Sequence, residues 1–99
     1  MKIYEILWKE RFVEKISDKH SVAMEEVEDV LFSHPHVRKA GRGRIRGEDL
    51  FVAYGQTESG RYLTVFFVRK RRAVALPISA RDMTRSERSY YNAQKKEKH

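Results

Sequence analysis

The hydrophobic pattern of this 99-residue chain changes its period at Pro35, and this change limits the possible folds more than any other feature. Before Pro35, apolar residues recur every three to four positions, which is typical of amphipathic helices. After it, they form short runs separated by turns rich in Gly and Arg, which is typical of strands. Because the residue before a proline is disfavoured in the helical region, the helical part is expected to end at His34.

Two helices are predicted before Pro35, over residues 9–20 and 23–34. Phe12 and Ile16 lie on one face of the first helix. Glu26 falls in the first turn of the second, where the helix dipole favours an anion. A short strand is predicted within residues 2–8.

The remaining strands are predicted to form an antiparallel meander. Residues 61–70 are apolar on both faces, which indicates a central strand, and residues 36–41 suit an edge. Pro77 has no N–H for a strand ladder, so an edge or a bulge is expected there. The predicted strands are 36–41, 50–57, 61–70 and 73–80.

A final helix is predicted to begin at Thr84, because Thr84 and Glu87 have the spacing of a capping box. It runs to about residue 96, and residues 92–99 are interpreted as a frayed tail. The whole chain, 1–99, is predicted to be one α+β domain in which helices pack on an antiparallel sheet.

The distribution of charge favours an anionic partner. Residues 1–33 carry five Lys or Arg and eight Asp or Glu, whereas the remainder carries 16 and six. A basic segment with interleaved aromatic residues is typical of nucleic-acid binding, although a solvated surface is the alternative. Without cysteine or a long apolar run, the chain is expected to be a cytoplasmic protein with no membrane association.

Three arginines mark the junction between the last strand and the last helix. Arg81, Arg85 and Arg88 are predicted to converge on one anion, because a single guanidinium group can bind two phosphate oxygens at once. The alternative is that they pair with the acidic faces of the first two helices. A second basic segment, residues 38–46, either follows a phosphate backbone or forms a solvated loop.

The histidines offer proton transfer rather than metal binding. His20 ends the first helical stripe, and it is either a proton donor or acceptor or a hydrogen-bonded core residue. His34 and His36 flank Pro35 without the spacing of known metal ligands, so no metal is expected.

Three segments resemble the BrnT toxin family: residues 19–32, 60–70 and 78–91. The resemblance implies a ribonuclease of a type II toxin–antitoxin pair with a RelE/ParE-like α+β fold. It also implies hetero-oligomer formation with a BrnA-like ribbon-helix-helix antitoxin encoded nearby. Operator DNA would then be bound only through that antitoxin.

The resemblance also implies roles for individual residues. Lys19 and His20 match the family's Lys-His pair, Arg81 matches its Ser-Ala-Arg motif, and Glu87 and Tyr91 match its final helix. The chain departs from the family pattern at Ala23, where the family often has a capping Ser or Thr, and at Pro77.

The mechanism expected from this likeness is attack of an RNA 2′-hydroxyl on the adjacent phosphate, without cofactor or metal. The predicted catalytic residues are Arg81, His20, Lys19 and Tyr91, and the predicted phosphate-binding residues are Arg85, Arg88, Arg38, Arg44 and Arg46. Three alternatives stay open at this point: a binding module without catalysis, a ParE-like toxin that acts by protein contact, and an inactive toxin kept for antitoxin binding.

Overall fold

The computed structural model describes residues 1–42, 48–71 and 73–97. Arg44 and Arg46 lie outside the described residues. Within these described ranges the chain forms three helices and a five-stranded sheet, which confirms the predicted α+β class. The elements are β1 (Glu5–Ile6), α1 (Glu10–His20), α2 (Met24–Phe32), β2 (His36–Gly41), β3 (Leu50–Gln56), β4 (Tyr62–Arg71), β5 (Val74–Asp82) and α3 (Arg85–Glu97).

The sheet has the strand order β1-β5-β4-β3-β2. Strands β2 to β5 form the predicted antiparallel meander, with β4 central and β2 at one edge. The short strand β1 pairs with β5 in parallel, which makes the sheet mixed.

The first two helices cover one face of the sheet, here called the α1/α2 face. Leu63, Val65 and Phe67 of β4 point into this core and are fully buried. Ile16 of α1 and Val27 of α2 pack against them in the same cluster. Alternate residues of each strand point the other way, toward α3, and this second surface is here called the α3 face.

A bulge in β5 decides which of its residues reach the α3 face. Phe66 pairs with Ser79 and Phe67 with Pro77, so Ile78 is the extra residue, and the bulge predicted at Pro77 is confirmed. Without this extra residue, continuing the Pro77 register would place Arg81 opposite Leu63, in the core. With it, Arg81 pairs with Thr64 and points toward α3.

The predicted capping box begins α3. The Thr84 N–H donates to Glu87 Oε1 at 2.8 Å, and the Glu87 N–H donates to Thr84 Oγ1 at 3.1 Å. The helix then continues to Glu97, so it includes most of the segment interpreted from the sequence as a frayed tail. Among the described residues, every helix is too short or too polar to cross a bilayer.

Candidate functional site

Four side chains form a row across the α3 face of the sheet. Arg81 pairs with Thr64, Thr64 with Tyr54, and Tyr54 with His36, each on the neighbouring strand. Because adjacent strands lie about 4.8 Å apart, the row spans roughly 14 Å from β5 to β2. The meander therefore brings together residues that are distant in the sequence.

Helix α3 covers this row with two side chains one turn apart. Glu87 accepts a hydrogen bond from Thr64 Oγ1 at 3.1 Å. Tyr90 lies over the other end of the row, where its hydroxyl is 2.8 Å from His36 Nε2. The Tyr90 ring also meets the Tyr54 ring at a centroid distance of 5.6 Å. The helix thus fixes both ends of the row.

Arg81 and Glu87 form a two-point ion pair. Arg81 Nη1 and Nη2 donate to the two Glu87 carboxylate oxygens at 2.7 and 2.9 Å. The hydrogen bonds from Arg81 are the main reason that the pKa of Glu87 falls to about 2. Burial alone would raise this pKa, but hydrogen bonds from Thr84 and Thr64 lower it further. Glu87 is therefore ionised at neutral pH and makes a poor proton acceptor, while Arg81 stays 32% exposed.

A pocket of about 230 Å³ opens beside this ion pair. The Arg38 guanidinium lies over the Tyr90 ring at 5.1 Å from its centroid, so it supplies a cation to the pocket wall. The side chains that line the pocket are Arg38, Tyr54, Ser86, Glu87 and Tyr90. One cation, two tyrosine rings and the Glu87 carboxylate therefore line a space open to solvent, and Arg81 and His36 adjoin it through their contacts with Glu87 and Tyr90.

Comparison with known protein families relates the chain to toxins. A family model described as "Ribonuclease toxin, BrnT, of type II toxin-antitoxin system" matches residues 8–87. The chain belongs to the BrnT family. This confirms the resemblance seen in the sequence, and the family description implies an RNA target and an antitoxin partner.

A solved BrnT structure has the same fold. The 1.1 Å crystal structure of the Brucella abortus ribonuclease toxin BrnT aligns with a TM-score of 0.59 and 18% sequence identity. The alignment covers 82% of this chain and 97% of that chain. No curated protein matches this chain.

The three junction arginines do not converge on one anion, which corrects the expectation from the sequence. Glu87 is the α3 residue that faces the sheet, and Arg88 lies about 100° further around the helix. Arg88 instead lies over the Tyr62 ring at 3.9 Å, beside Tyr91. Arg85 is exposed on the outer side of α3. Within this BrnT chain, Arg81 is the one of the three that joins the row.

The sheet separates the Lys-His pair from Arg81. Arg61 binds the His20 carbonyl at 3.3 Å and the Asp82 carboxylate at 2.7 Å. Asp82 and Arg81 are neighbours in β5 and therefore point to opposite faces. His20 thus lies on the α1/α2 side, and Lys19 is exposed there. The catalytic roles of Lys19, His20 and Tyr91 stay predictions that this geometry does not link to Arg81.

Sequence reasoning missed two residues of importance. His36 lacks the spacing of a metal ligand, but the predicted edge strand already places it on the same side as Arg38. The other is Arg61. An ion pair with an acidic N-terminal helix was the alternative for Arg81, Arg85 and Arg88. Arg61 forms such a pair instead, because its Nη1 lies 3.0 Å from the Glu26 carboxylate of α2.

Proposed function

We propose that this BrnT-family chain is a cytoplasmic, metal-independent endoribonuclease that cleaves RNA at the α3 face of its sheet. The observation that carries the proposal is Arg81, which Glu87 holds beside a solvent-open pocket in a chain that belongs to a ribonuclease toxin family. Cleavage by an internal 2′-hydroxyl needs a base, an acid and cations, and protein side chains can supply all three.

In the proposed reaction the RNA supplies its own nucleophile. The 2′-oxygen loses its proton to a base and forms a bond to the adjacent phosphorus, and the bond from phosphorus to the 5′-oxygen breaks. The leaving 5′-oxygen takes a proton from an acid. The products are a 2′,3′-cyclic phosphate and a 5′-hydroxyl, so atoms and charge balance without a co-reactant.

Arg81 is proposed to bind the scissile phosphate, and Arg38 is proposed to assist it. Negative charge grows on the phosphate oxygens in the transition state, and cations fixed beforehand stabilise that charge most effectively. The ion pair with Glu87 fixes the Arg81 guanidinium before RNA arrives. Glu87 is thus proposed to be a positioning residue rather than a base.

The hydrogen-bonded pair of His36 and Tyr90 is proposed to transfer the protons. Their 2.8 Å contact lies over the same row of residues as Arg81, which is not true of His20. Imidazole is the side chain best suited to exchange protons near neutral pH. The geometry therefore favours His36 over the sequence candidates His20, Lys19 and Tyr91.

A cleavage assay with a structured RNA in EDTA tests the proposal. We expect fragments with cyclic phosphate ends, and no cleavage at a nucleotide whose 2′-hydroxyl is replaced by hydrogen. His36→Asn should slow cleavage about 10²- to 10⁴-fold, the range for a lost acid or base, whereas the matched control His20→Asn should retain it within threefold. Intact RNA with the parent protein would contradict the proposal, and binding without cleavage would favour the non-catalytic module.

The expected partner is a BrnA-like ribbon-helix-helix antitoxin encoded next to the toxin, which binds operator DNA for the complex. The support is the family description, which places the chain in a type II toxin–antitoxin system. Co-expression of the neighbouring reading frame should relieve growth arrest and co-purify with the toxin as a hetero-oligomer. Growth that the parent toxin leaves unchanged would contradict the toxin role.

A further inference from the structure

The side of α3 that is turned away from the pocket carries a second group of cations and aromatic rings. Arg88, Tyr91 and Lys95 recur at i, i+3 and i+7 along one side of the helix. The Tyr91 ring meets the Tyr62 ring edge-on at a centroid distance of 6.0 Å. Tyr62, Arg88, Tyr91 and Lys95 are here called the α3 flank strip, and the proposed cleavage uses none of them.

The strip holds its two cations through contacts with neighbouring side chains while leaving them accessible. Arg88 is exposed, and its guanidinium carbon lies 3.9 Å from the centroid of the Tyr62 ring, so the cation packs on the ring while it stays accessible to solvent. Among the described residues, no carboxylate forms an ion pair with Arg88. Lys95 is also exposed and donates one proton to Gln56 Oε1 at 3.1 Å, so two remain.

A polar pocket of about 180 Å³ adjoins the strip. Burial, aided by the neighbouring Tyr62, raises the pKa of Tyr91, so its phenol keeps its proton at neutral pH and remains a hydrogen-bond donor. His36 lines this pocket and also contacts Tyr90, which places the pocket next to the candidate site. The side chains around the pocket are Ser33, His34, His36, Tyr91 and Lys95.

We propose that the α3 flank strip and its adjoining pocket bind the single-stranded RNA that flanks the scissile phosphate. The inference rests on the proposed ribonuclease function and gives it an extended binding site. Exposed cations bind backbone phosphates, and oriented guanidinium planes stack on unpaired bases.

Oligonucleotide binding with matched charge variants tests the strip. The test variant is Arg88→Gln/Lys95→Gln, and the control Arg85→Gln/Lys96→Gln removes the same charge from exposed positions elsewhere on α3. The probes are fluorescein-labelled, uncleavable 2′-O-methyl RNAs of about 4 and 12 nucleotides, with anisotropy measured at several KCl concentrations. Loss of two phosphate contacts should reduce the salt slope for the longer RNA by about 1.4.

The expected binding affinities differ between the two variants and between the two probes. The test variant should bind the longer RNA roughly tenfold more weakly and the shorter RNA within twofold of the parent, because only the longer RNA reaches the strip. The control should remain within twofold for both probes. If the test variant unfolds, Lys95→Gln alone serves instead, because it leaves the contact of Arg88 with Tyr62 intact. This single variant should still bind the longer RNA about threefold more weakly than the parent.

Three outcomes would overturn the proposal that the strip binds RNA. These are equally weakened RNA binding in both double variants, parent-like binding of the longer RNA by the test variant, or loss of antitoxin binding alone in the test variant. The last outcome would assign the surface to a protein partner. Cleavage of unmodified RNA is followed in parallel. A parent protein that binds through the strip but leaves RNA intact contradicts the proposed cleavage and supports the strip.

Discussion

Arg61 and Arg81 make the same kind of contact on opposite faces of the sheet. Each binds the glutamate at the third position of a helix, and each glutamate also accepts the N–H of the residue that caps that helix. For α2 this is Glu26 with the Ala23 N–H at 3.0 Å, and for α3 it is Glu87 with the Thr84 N–H at 2.8 Å. The glutamate's part of the motif is therefore shared, although only Thr84 has a side-chain oxygen that returns a bond to its glutamate.

The two arginines differ in how many of their hydrogen-bond donors are used. Arg61 donates to Glu26, to both oxygens of Asp82, and to the carbonyls of His20 and Ser21. Arg81 donates to Glu87 and to the Asp82 carbonyl, and its Nε has no acceptor among the described residues. Since a guanidinium has five N–H groups, Arg61 is satisfied and Arg81 keeps donor capacity for a ligand.

This difference assigns a structural task to one arginine and a binding task to the other. Side-chain exposure alone would not separate them, because it is 27% for Arg61 and 32% for Arg81. Arg61 joins the end of α1, the start of α2 and the end of β5, whereas Arg81 is bound to Glu87, which lines an open pocket. The count of satisfied donors is thus more informative here than the position of a cation in the sequence.

Between these two arginines, the larger expected effect is loss of cleavage in Arg81→Ala. Removing a fixed donor that stabilises transition-state charge should lower the cleavage rate about 10²- to 10³-fold. Arg81→Lys should remain well below the parent, because an ammonium cannot make the two-point contact. Single-turnover cleavage of a labelled RNA measures both, with thermal unfolding as the check on folding. An Arg81→Ala variant within threefold of the parent would place the reaction elsewhere.

Arg61→Ala should show the opposite result, a loss of stability without a loss of intrinsic activity. The variant leaves the carboxylates of Glu26 and Asp82 without their cation and two carbonyls without a donor, at a cost of about 2 kcal/mol. In a domain of this size that lowers Tm by about 8–16 °C. Differential scanning fluorimetry measures the shift. A parent-like Tm, or slower cleavage per folded molecule, would remove the distinction between the two arginines.

The sequence predicted well those features that depend on neighbouring residues. The capping box of Thr84 and Glu87, the end of the helical part near Pro35 and the bulge at Pro77 each follow from a few adjacent residues, and each is confirmed. The central position of β4 followed from its apolar residues on both faces.

The composition of the site could not be predicted in the same way. The row from Arg81 to His36 depends on the register of four strands, and the extra residue Ile78 shifts that register by one. A shift of one residue exchanges the two faces of a strand, so Arg81 and Asp82 would change places. Nor does the capping box reveal that Glu87 also binds Arg81, because that contact requires β5 to lie under α3.

A pH titration sharpens the comparison at the two carboxylates. The pKa of Glu87 is lowered from 4.5 to about 2, chiefly by Arg81, so its stabilisation is complete above about pH 4.5 and is lost as pH falls toward 2. Glu87→Gln should therefore be less stable than the parent at pH 6, with the difference shrinking below pH 4. Urea unfolding across this range measures it.

Asp82→Asn serves as the matched control for that titration. Arg61 lowers the pKa of Asp82 in the same direction, but the Asp82 side chain is 65% exposed and water screens its charge. Its stability difference at pH 6 should be smaller than that of Glu87→Gln. Equal pH profiles for the two variants would show that burial does not distinguish the ion pairs.

The smallest expected effect comes from completing the α2 capping box. Ala23 has the extended backbone of a capping residue, with φ −84° and ψ 156°, but it has no side-chain oxygen for the Glu26 N–H. Thr84 supplies that oxygen in α3 at 3.1 Å. Ala23→Ser should therefore raise stability by about 0.5–1 kcal/mol, seen as a higher urea midpoint. Cleavage should not change, because Ala23 lies on the α1/α2 side.

A gain in stability accompanied by a change in cleavage would show that the two faces of the sheet are coupled. Arg61 would then be the connection to examine, since it donates hydrogen bonds to Glu26 and to Asp82, the residue that follows Arg81 in β5.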